Sequence, residues 1–291
     1  MALAPASGQA TGAVARRPGR LRGWEIVRFV YIAGFLVFLL APLYWMVITS
    51  IKPVGDYLAI PPVIFPSEPT LVHFTAALYS YRGMQGLSNS LIIASATTVL
   101  SVTLGTMMAY SLARFRTGGQ HLAFWVLSQR FLPGIAVVLP VFLLYRNYGL
   151  NDTHVGMILI YTVFSLPFSV WTMYAYFRQM PVELENAARV DGCSRWQALQ
   201  RIALPLAAPG IVTAAVFAFI FAWTEFFFAL ILTSRTAFTL PSIFRSFLGF
   251  QGAQYGESSA LTVISLGPSI VLGLLVQRHL VRGLTLGALH E

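Results

Sequence analysis

Six long apolar runs, each able to form a membrane-crossing helix, constrain this chain more than any single motif. Crossing about 30 Å of hydrocarbon takes roughly 20 residues at 1.5 Å per residue. Six segments qualify, at about 26–49, 87–112, 122–145, 154–177, 207–232 and 258–280. Of the 291 residues, 57% are hydrophobic and only 10% charged, too little polar surface for a soluble domain. The sequence therefore predicts an all-α membrane protein with six transmembrane helices. Residues 1–23, small, Pro/Gly-rich and basic, read as a flexible tail before a single transmembrane domain over 24–291. The run beginning at Ile26 exceeds a signal-peptide core and has no cleavage site after it, so it reads as an uncleaved first span. Pro133, Pro140, Pro167 and Pro268 fall inside predicted spans, where each marks a kink facing protein instead of lipid.

The charge pattern orients the spans. The formal charge is +9, but the arginines flank apolar runs instead of forming polar-interleaved patches, which argues for topology and against nucleic acid. With the N-terminus inside, 13 of the 19 basic residues fall in cytoplasmic segments, five fall outside (Lys52, Arg82, Arg146, Arg235, Arg245), and Arg130 lies within the third span. That asymmetry puts both termini in the cytoplasm. The segments at about 50–86 and 233–257 then form ordered loops on the outer face.

Catalytic patterns are missing. The only lysine is Lys52, in "SIKPVG", and no phosphate-cradling glycine loop precedes it. No His-Glu-x-x-His or Gly-x-Ser-x-Gly occurs, the five histidines are scattered, and Cys193 stands alone. These patterns predict no catalytic residue, no metal site and no cofactor bound by this chain.

One polar island interrupts the apolar sequence, "PVELENAARVDGCSRWQALQRIALPLAAPG" over Pro181–Gly210, between the fourth and fifth spans and hence in the cytoplasm. Pro181 suits a helix start, and Glu183 and Glu185 fall where the helix dipole favours acids. Ala187, Ala188 and Val190 make a ridge of small residues flanked by Arg189 and Asp191. Gly192 ends the helix as a C-terminal cap. Ser194 caps a second helix to about Ile202, with Trp196 and Leu199 on one face, and Pro205 and Pro209 end it. Two readings of this helix–Gly–helix element stand: an interfacial linker, or a docking element whose small ridge admits a partner's backbone.

The island resembles the cytoplasmic signature loop of ABC-importer permeases. That loop has a Glu-Ala-Ala pattern, a glycine four residues on and a closing Ile-x-Leu-Pro, matched here by Asn186-Ala187-Ala188, Gly192 and Ile202-Ala203-Leu204-Pro205. "SIKP" at 50–53, "NSL" at 89–91, "AYSLARF" at 109–115, "WTEF" at 223–226 and the tail "QRHLVRGLTLGALHE" are similar to the second permease of maltose-type carbohydrate importers. The resemblance implies a subunit of the bacterial inner membrane that forms half of a path for a sugar, oligosaccharide or polyol. It implies a second, homologous permease, two cytoplasmic ATPase subunits that carry ATP and Mg, and an extracytoplasmic solute-binding protein received on the outer loops. The loop would enter a cleft of the ATPase through Glu185, Asn186, Ala187, Ala188, Asp191, Gly192, Ile202, Leu204 and Pro205, and Gly283 to Glu291 would lie against the ATPases. Asn186 stands where the family has glutamate, so docking rests on shape, with Glu185 as the adjacent acid. Permeases for phosphorylated and other non-sugar solutes carry comparable loops. An ATP-independent transporter or channel should instead show two similar halves, and no internal repeat is evident.

Glu225 is the only acid well inside a predicted span, and Arg130 is its basic counterpart. An intramembrane charge faces the bundle interior or a watery cavity. Either the two hold helices together, through an ion pair or helix-end hydrogen bonds, or they line the translocation path. Candidates for that path are Gln129, Tyr161, Ser165, Trp223, Thr224 and Glu225.

Overall fold

The structure, a computed structural model, describes residues 23–57, 59–249 and 252–286. The tail expected over 1–23 therefore lies outside the described residues but for Gly23, as do the last five residues of the Gly283–Glu291 segment. The chain divides into two units, residues 1–45 and 46–291.

Helices dominate. In chain order they are α1 (Gly23–Thr49), α2 (Val72–Thr75), α3 (Gly83–Phe115), α4 (Gly119–Ser128), α5 (Gly134–Tyr148), α6 (His154–Gln179), α7 (Glu183–Val190), α8 (Arg195–Ala198), α9 (Leu204–Leu206), α10 (Ala208–Thr224), α11 (Phe227–Leu232) and α12 (Tyr255–Leu286). Short 3-10 turns occupy Val54–Asp56, Gln129–Phe131 and Pro241–Phe247, and wider π turns occupy Ala76–Ser80 and Leu199–Ala203. Strands β1 (Leu248–Gly249) and β2 (Gly252–Ala253) form a two-residue antiparallel pair.

Four helices are long and apolar enough to cross a membrane by themselves: α1, α3, α6 and the Tyr255–Gln277 part of α12. The number reaches six if each of two bent pairs counts as one span. The third predicted span, 122–145, is not one straight helix. Its halves, His121–Phe131 and Gly134–Tyr148, meet at 89°. Proline at 133 withholds an amide hydrogen and pushes the preceding residue out of the helical region, and Leu132 accordingly has ψ 118°. Pro42, Pro140, Pro167 and Pro268 remain inside continuous helices. The fifth predicted span is interrupted after Thr224, because Glu225 is extended with ψ 123°. The second bend, 75°, separates Arg195–Leu206 from α10.

In unit 46–291, α3 and α6 make the largest helix contact, and α10 packs on both. Their closeness depends on small side chains. A Cβ at Gly105 would stand only 2.7 Å from the Ser169 Cβ, so no other residue fits there without movement. Buried side chains form two clusters. One gathers Ile93, Met157, Tyr161, Trp223, Phe228, Leu240 and Leu261, and the other Tyr110, Met173, Phe177, Leu199, Ala203 and Ala214. Apolar side chains facing outward, such as Val99 on α3 and Leu274 on α12, are 65% and 61% exposed, as a lipid-facing surface requires.

The segment expected as a loop at 50–86 is held by a compact polar knot. His73 is buried, with Nε2 2.6 Å from the Tyr57 hydroxyl and 2.9 Å from the Lys52 carbonyl, and Nδ1 3.2 Å from Glu257 at the start of α12. Burial, and secondarily the Glu257 carboxylate, push the Tyr57 phenol up to about 12.

Candidate functional site

The polar island folds as its residues direct. Helix α7 ends in a left-handed Gly192, φ +93°, and the Cys193 amide donates back to the Ala188 carbonyl at 2.9 Å, closing the carbonyls that a helix end leaves open. Ser194 then makes a full capping box: its hydroxyl accepts from the Gln197 amide, and the Gln197 side chain accepts from the Ser194 amide. The expected prolines act differently. Pro205 does not end the second helix, which runs on to Leu206 through the π turn over Leu199–Ala203. The break falls at Ala207, and Pro209 sits in the first turn of α10, where its missing amide hydrogen costs nothing.

What fixes this element to the helices is Glu185. Its carboxylate accepts from the Tyr110 hydroxyl at 2.6 Å and from Arg114 Nε at 2.7 Å, and Arg114 Nη2 also donates to the Met180 carbonyl at 3.2 Å. Glu185 is 5% exposed, so it is turned into the protein and cannot act as a surface acid next to Asn186. Ala188 is buried as well. The ridge left on show is narrower than the sequence suggested: Asn186, Ala187, Val190, Asp191 and Gly192 are exposed, and a Cβ at Gly192 would meet nothing within 4 Å. Ile202 and Leu204 are half-buried and Pro205 is exposed, while Trp196 is exposed and Leu199 buried.

The six path candidates divide in two. Tyr161, Ser165 and Trp223 are buried, and their polar atoms are used inside the protein. Tyr161 donates to the Glu225 carbonyl at 3.3 Å, Ser165 to the Tyr161 carbonyl at 2.8 Å, and Trp223 Nε1 to the Ser265 carbonyl at 3.0 Å. Gln129 and Thr224 are exposed and Glu225 is half-buried. The Glu225 carboxylate caps α11, accepting from the Phe227 and Phe228 amides at 2.9 and 3.1 Å, where the helix dipole favours an acid. Among the described residues Glu225 forms no ion pair with Arg130. The pairs there are His73–Glu257 and Arg114–Glu185. Of the two structural roles read from the sequence, the helix-end bonds are formed and the ion pair is not. Glu225 and Arg130 do share a cleft of about 450 Å³, walled by Phe164, Phe221, Phe227 and Phe228.

Sequence reasoning missed a clamp on the segment after α11. Asp152 adopts φ +57°, and its carboxylate accepts from four successive amides, Ser234 to Ala237, at 2.9–3.1 Å. Burial works to raise its pKa, but these amide bonds outweigh it and hold the carboxyl down at about 2. From the other side the Asn89 amide donates to the Thr236 and Phe238 carbonyls and is itself fixed by His154, while the Ser90 hydroxyl accepts from the Leu240 amide. The only signal was "NSL" at 89–91.

Comparisons with known proteins bear on this architecture. Residues 101–286 match the family described as binding-protein-dependent transport system inner membrane component. Over 260 residues the chain is 37% identical to a trehalose transport system permease protein of Mycobacterium tuberculosis, covering 86% of this chain and 92% of that one. It is 35% identical over 285 residues to a trehalose/maltose transport system permease protein of Thermococcus litoralis, covering 92% and 99%. A diacetylchitobiose uptake system permease protein of Streptomyces coelicolor is 34% identical over 270 residues, covering 92% and 96%. The fold is similar to that of a chain in a bacterial ABC transporter involved in the import of the acidic polysaccharide alginate, with a TM-score of 0.73 at 20% identity over 88% of this chain and 95% of that one. The chain belongs to the family of binding-protein-dependent transport system inner membrane components, and is a permease subunit of an ABC importer and not a catalytic enzyme.

Proposed function

We propose that this permease carries a carbohydrate, a sugar, oligosaccharide or polyol, and forms half of the path with a second, homologous permease. Six spans, the third of them bent at Pro133, keep both termini and the 181–209 loop in the cytoplasm. Two ATPase subunits hold ATP and Mg, and an extracytoplasmic binding protein delivers solute to the opposite face. The names of three relatives, each aligned over most of this chain and each a permease for a saccharide, carry the substrate class. The aromatic walls of the cleft at Glu225 support it, since sugar C–H faces stack on such rings.

The coupling role rests on the joint formed by Glu185. A push on the exposed ridge of α7 reaches α3 through the buried Arg114–Glu185 pair, without an intervening flexible segment. Docking is then a matter of fit at Asn186, Ala187, Val190 and Gly192, with Glu185 serving as the anchor behind them. The test is reconstitution of the complete complex in proteoliposomes, with trehalose, maltose and diacetylchitobiose as labelled solutes. Uptake of at least one, strictly dependent on ATP and the ATPase subunits, is expected. Uptake without the ATPases, or of no carbohydrate at all, overturns the reading.

A further inference from the structure

Arg130 sits in the 3-10 turn between α4 and α5, beside the break at Pro133, and lines two clefts at once. One cleft, of about 210 Å³, is bounded by Ser165, Phe168 and Phe217. The other is the 450 Å³ cleft with Glu225. Phe221 lines both, and its ring lies under the guanidinium, 5.0 Å from the Arg130 Cζ. Nη1 donates to the Phe164 carbonyl at 3.0 Å.

A guanidinium carries five N–H donors. Among the described contacts, this one uses a single donor and has no carboxylate within ion-pair distance. Glu225 already directs both oxygens at the Phe227 and Phe228 amides. A charged side chain so placed in a membrane protein is stable only where water or a polar ligand completes its hydrogen bonds. In the single chain Arg130 is exposed, so its remaining N–H groups are not covered by other parts of the fold. A cleft of this volume, mostly apolar with a few convergent polar groups, is the usual form of a small-molecule site.

We infer that Arg130 is a solute-contacting residue, whose remaining N–H groups donate to the hydroxyls of a sugar ring stacked in the aromatic cleft. This rests on the carbohydrate reading and deepens it. The planar fork matches adjacent oxygens on one ring edge, and Phe221 holds that fork in plane from behind. The lone pairs left on Glu225 accept from a hydroxyl on the opposite side of the cleft. Phe164 and Phe228, whose rings lie 4.8 Å apart, supply the wall for the C–H face.

The experiment uses the complete complex in proteoliposomes and whichever of trehalose, maltose or diacetylchitobiose the unmodified complex accumulates. Arg130→Ala is expected to lower sugar accumulated per ATP hydrolysed by about ten-fold, the size of effect expected when a charged hydrogen bond is lost. Arg130→Lys, which keeps the charge and loses the fork, should recover only part of it. Assembly should stay unchanged, and accumulation is scored against the ATP that each complex hydrolyses. A second measurement does not depend on turnover: with Cys193→Ser as background, Arg130→Cys should react with a charged, water-soluble thiol reagent, and the sugar should slow that reaction. Unchanged uptake per ATP, or a thiol the reagent does not reach, overturns the inference alone. If Arg130→Ala does not assemble, the Arg130→Lys coupling ratio and the thiol reaction decide. A complex that accumulates none of trehalose, maltose and diacetylchitobiose overturns the carbohydrate reading and the inference together.

Discussion

Arg114 Nε lies 2.7 Å from Glu185 Oε1, and both side chains are more than nine-tenths buried. This bond joins the last turn of α3 to the first turn of α7 and makes the polar island a rigid extension of the helices. Removing one partner leaves the other charged and buried, which costs about 3 kcal/mol or more. Glu185→Ala should therefore lower the thermal midpoint of the detergent-extracted complex sharply. Arg114→Ala should do the same, and the double substitution should cost clearly less than the sum. Additive losses would show that the two residues act separately.

Gly192 provides a different kind of test, because space does not limit it. Nothing lies within 4 Å of a Cβ there, yet φ is +93°. A β-branched residue in that region is strained by about 1–2 kcal/mol, whereas asparagine tolerates it. Gly192→Val should thus reduce uptake per ATP hydrolysed, and Gly192→Asn should reduce it far less. Equal loss in both would point to side-chain volume at a partner's surface instead of backbone strain.

These two positions also indicate what could be read from the sequence. Helix periodicity, the αL glycine and the Ser194 cap are local, so α7, Gly192 and α8 were all legible in "ELENAARVDGCSRWQALQ". The role of Glu185 was not, because it depends on α3 meeting α7. Tyr110 and Arg114, four residues apart and hence on one face of α3, were the available hint of a carboxylate receiver. Apolar run length located the helix α10 but could not detect the break at Glu225. A hydropathy count does not distinguish an acid within a helix from one that caps the next helix. The charge of Arg130 is visible in the sequence, but its place between two clefts arises from the 89° turn at Pro133.

The Asp152 clamp predicts a pH dependence. Its carboxyl is held near 2, below the ordinary 3.8. The charged form is the one that accepts four amides, so its contribution to stability is full above about pH 4 and fades as pH falls toward 2. Asp152→Asn keeps a residue tolerant of φ +57° and removes the charge. The stability difference between wild type and Asp152→Asn should be constant from pH 8 to 5 and shrink below pH 4. A difference that does not change with acid would argue against a charged clamp.

Close approach of α3 and α6 rests on Gly105. With a Cβ there only 2.7 Å from the Ser169 Cβ, Gly105→Ala should destabilise the extracted protein by about 1–3 kcal/mol. Ser169→Gly removes the obstructing atoms, so the double substitution should recover part of the loss. Thermal unfolding in detergent reads both. No recovery in the pair would mean that backbone contact sets the limit, since the Ser169 carbonyl carbon also lies 3.2 Å away.

On the proposed reading the exposed ridge of α7 meets the ATPase while its buried face is held by α3. A photoreactive amino acid placed at Ala187 or Val190 in the assembled complex tests it directly. Crosslinks from both positions to the ATPase subunit, altered in yield when ATP is added, are the predicted result. An active, fully assembled complex with no ATPase crosslink from either position would contradict it.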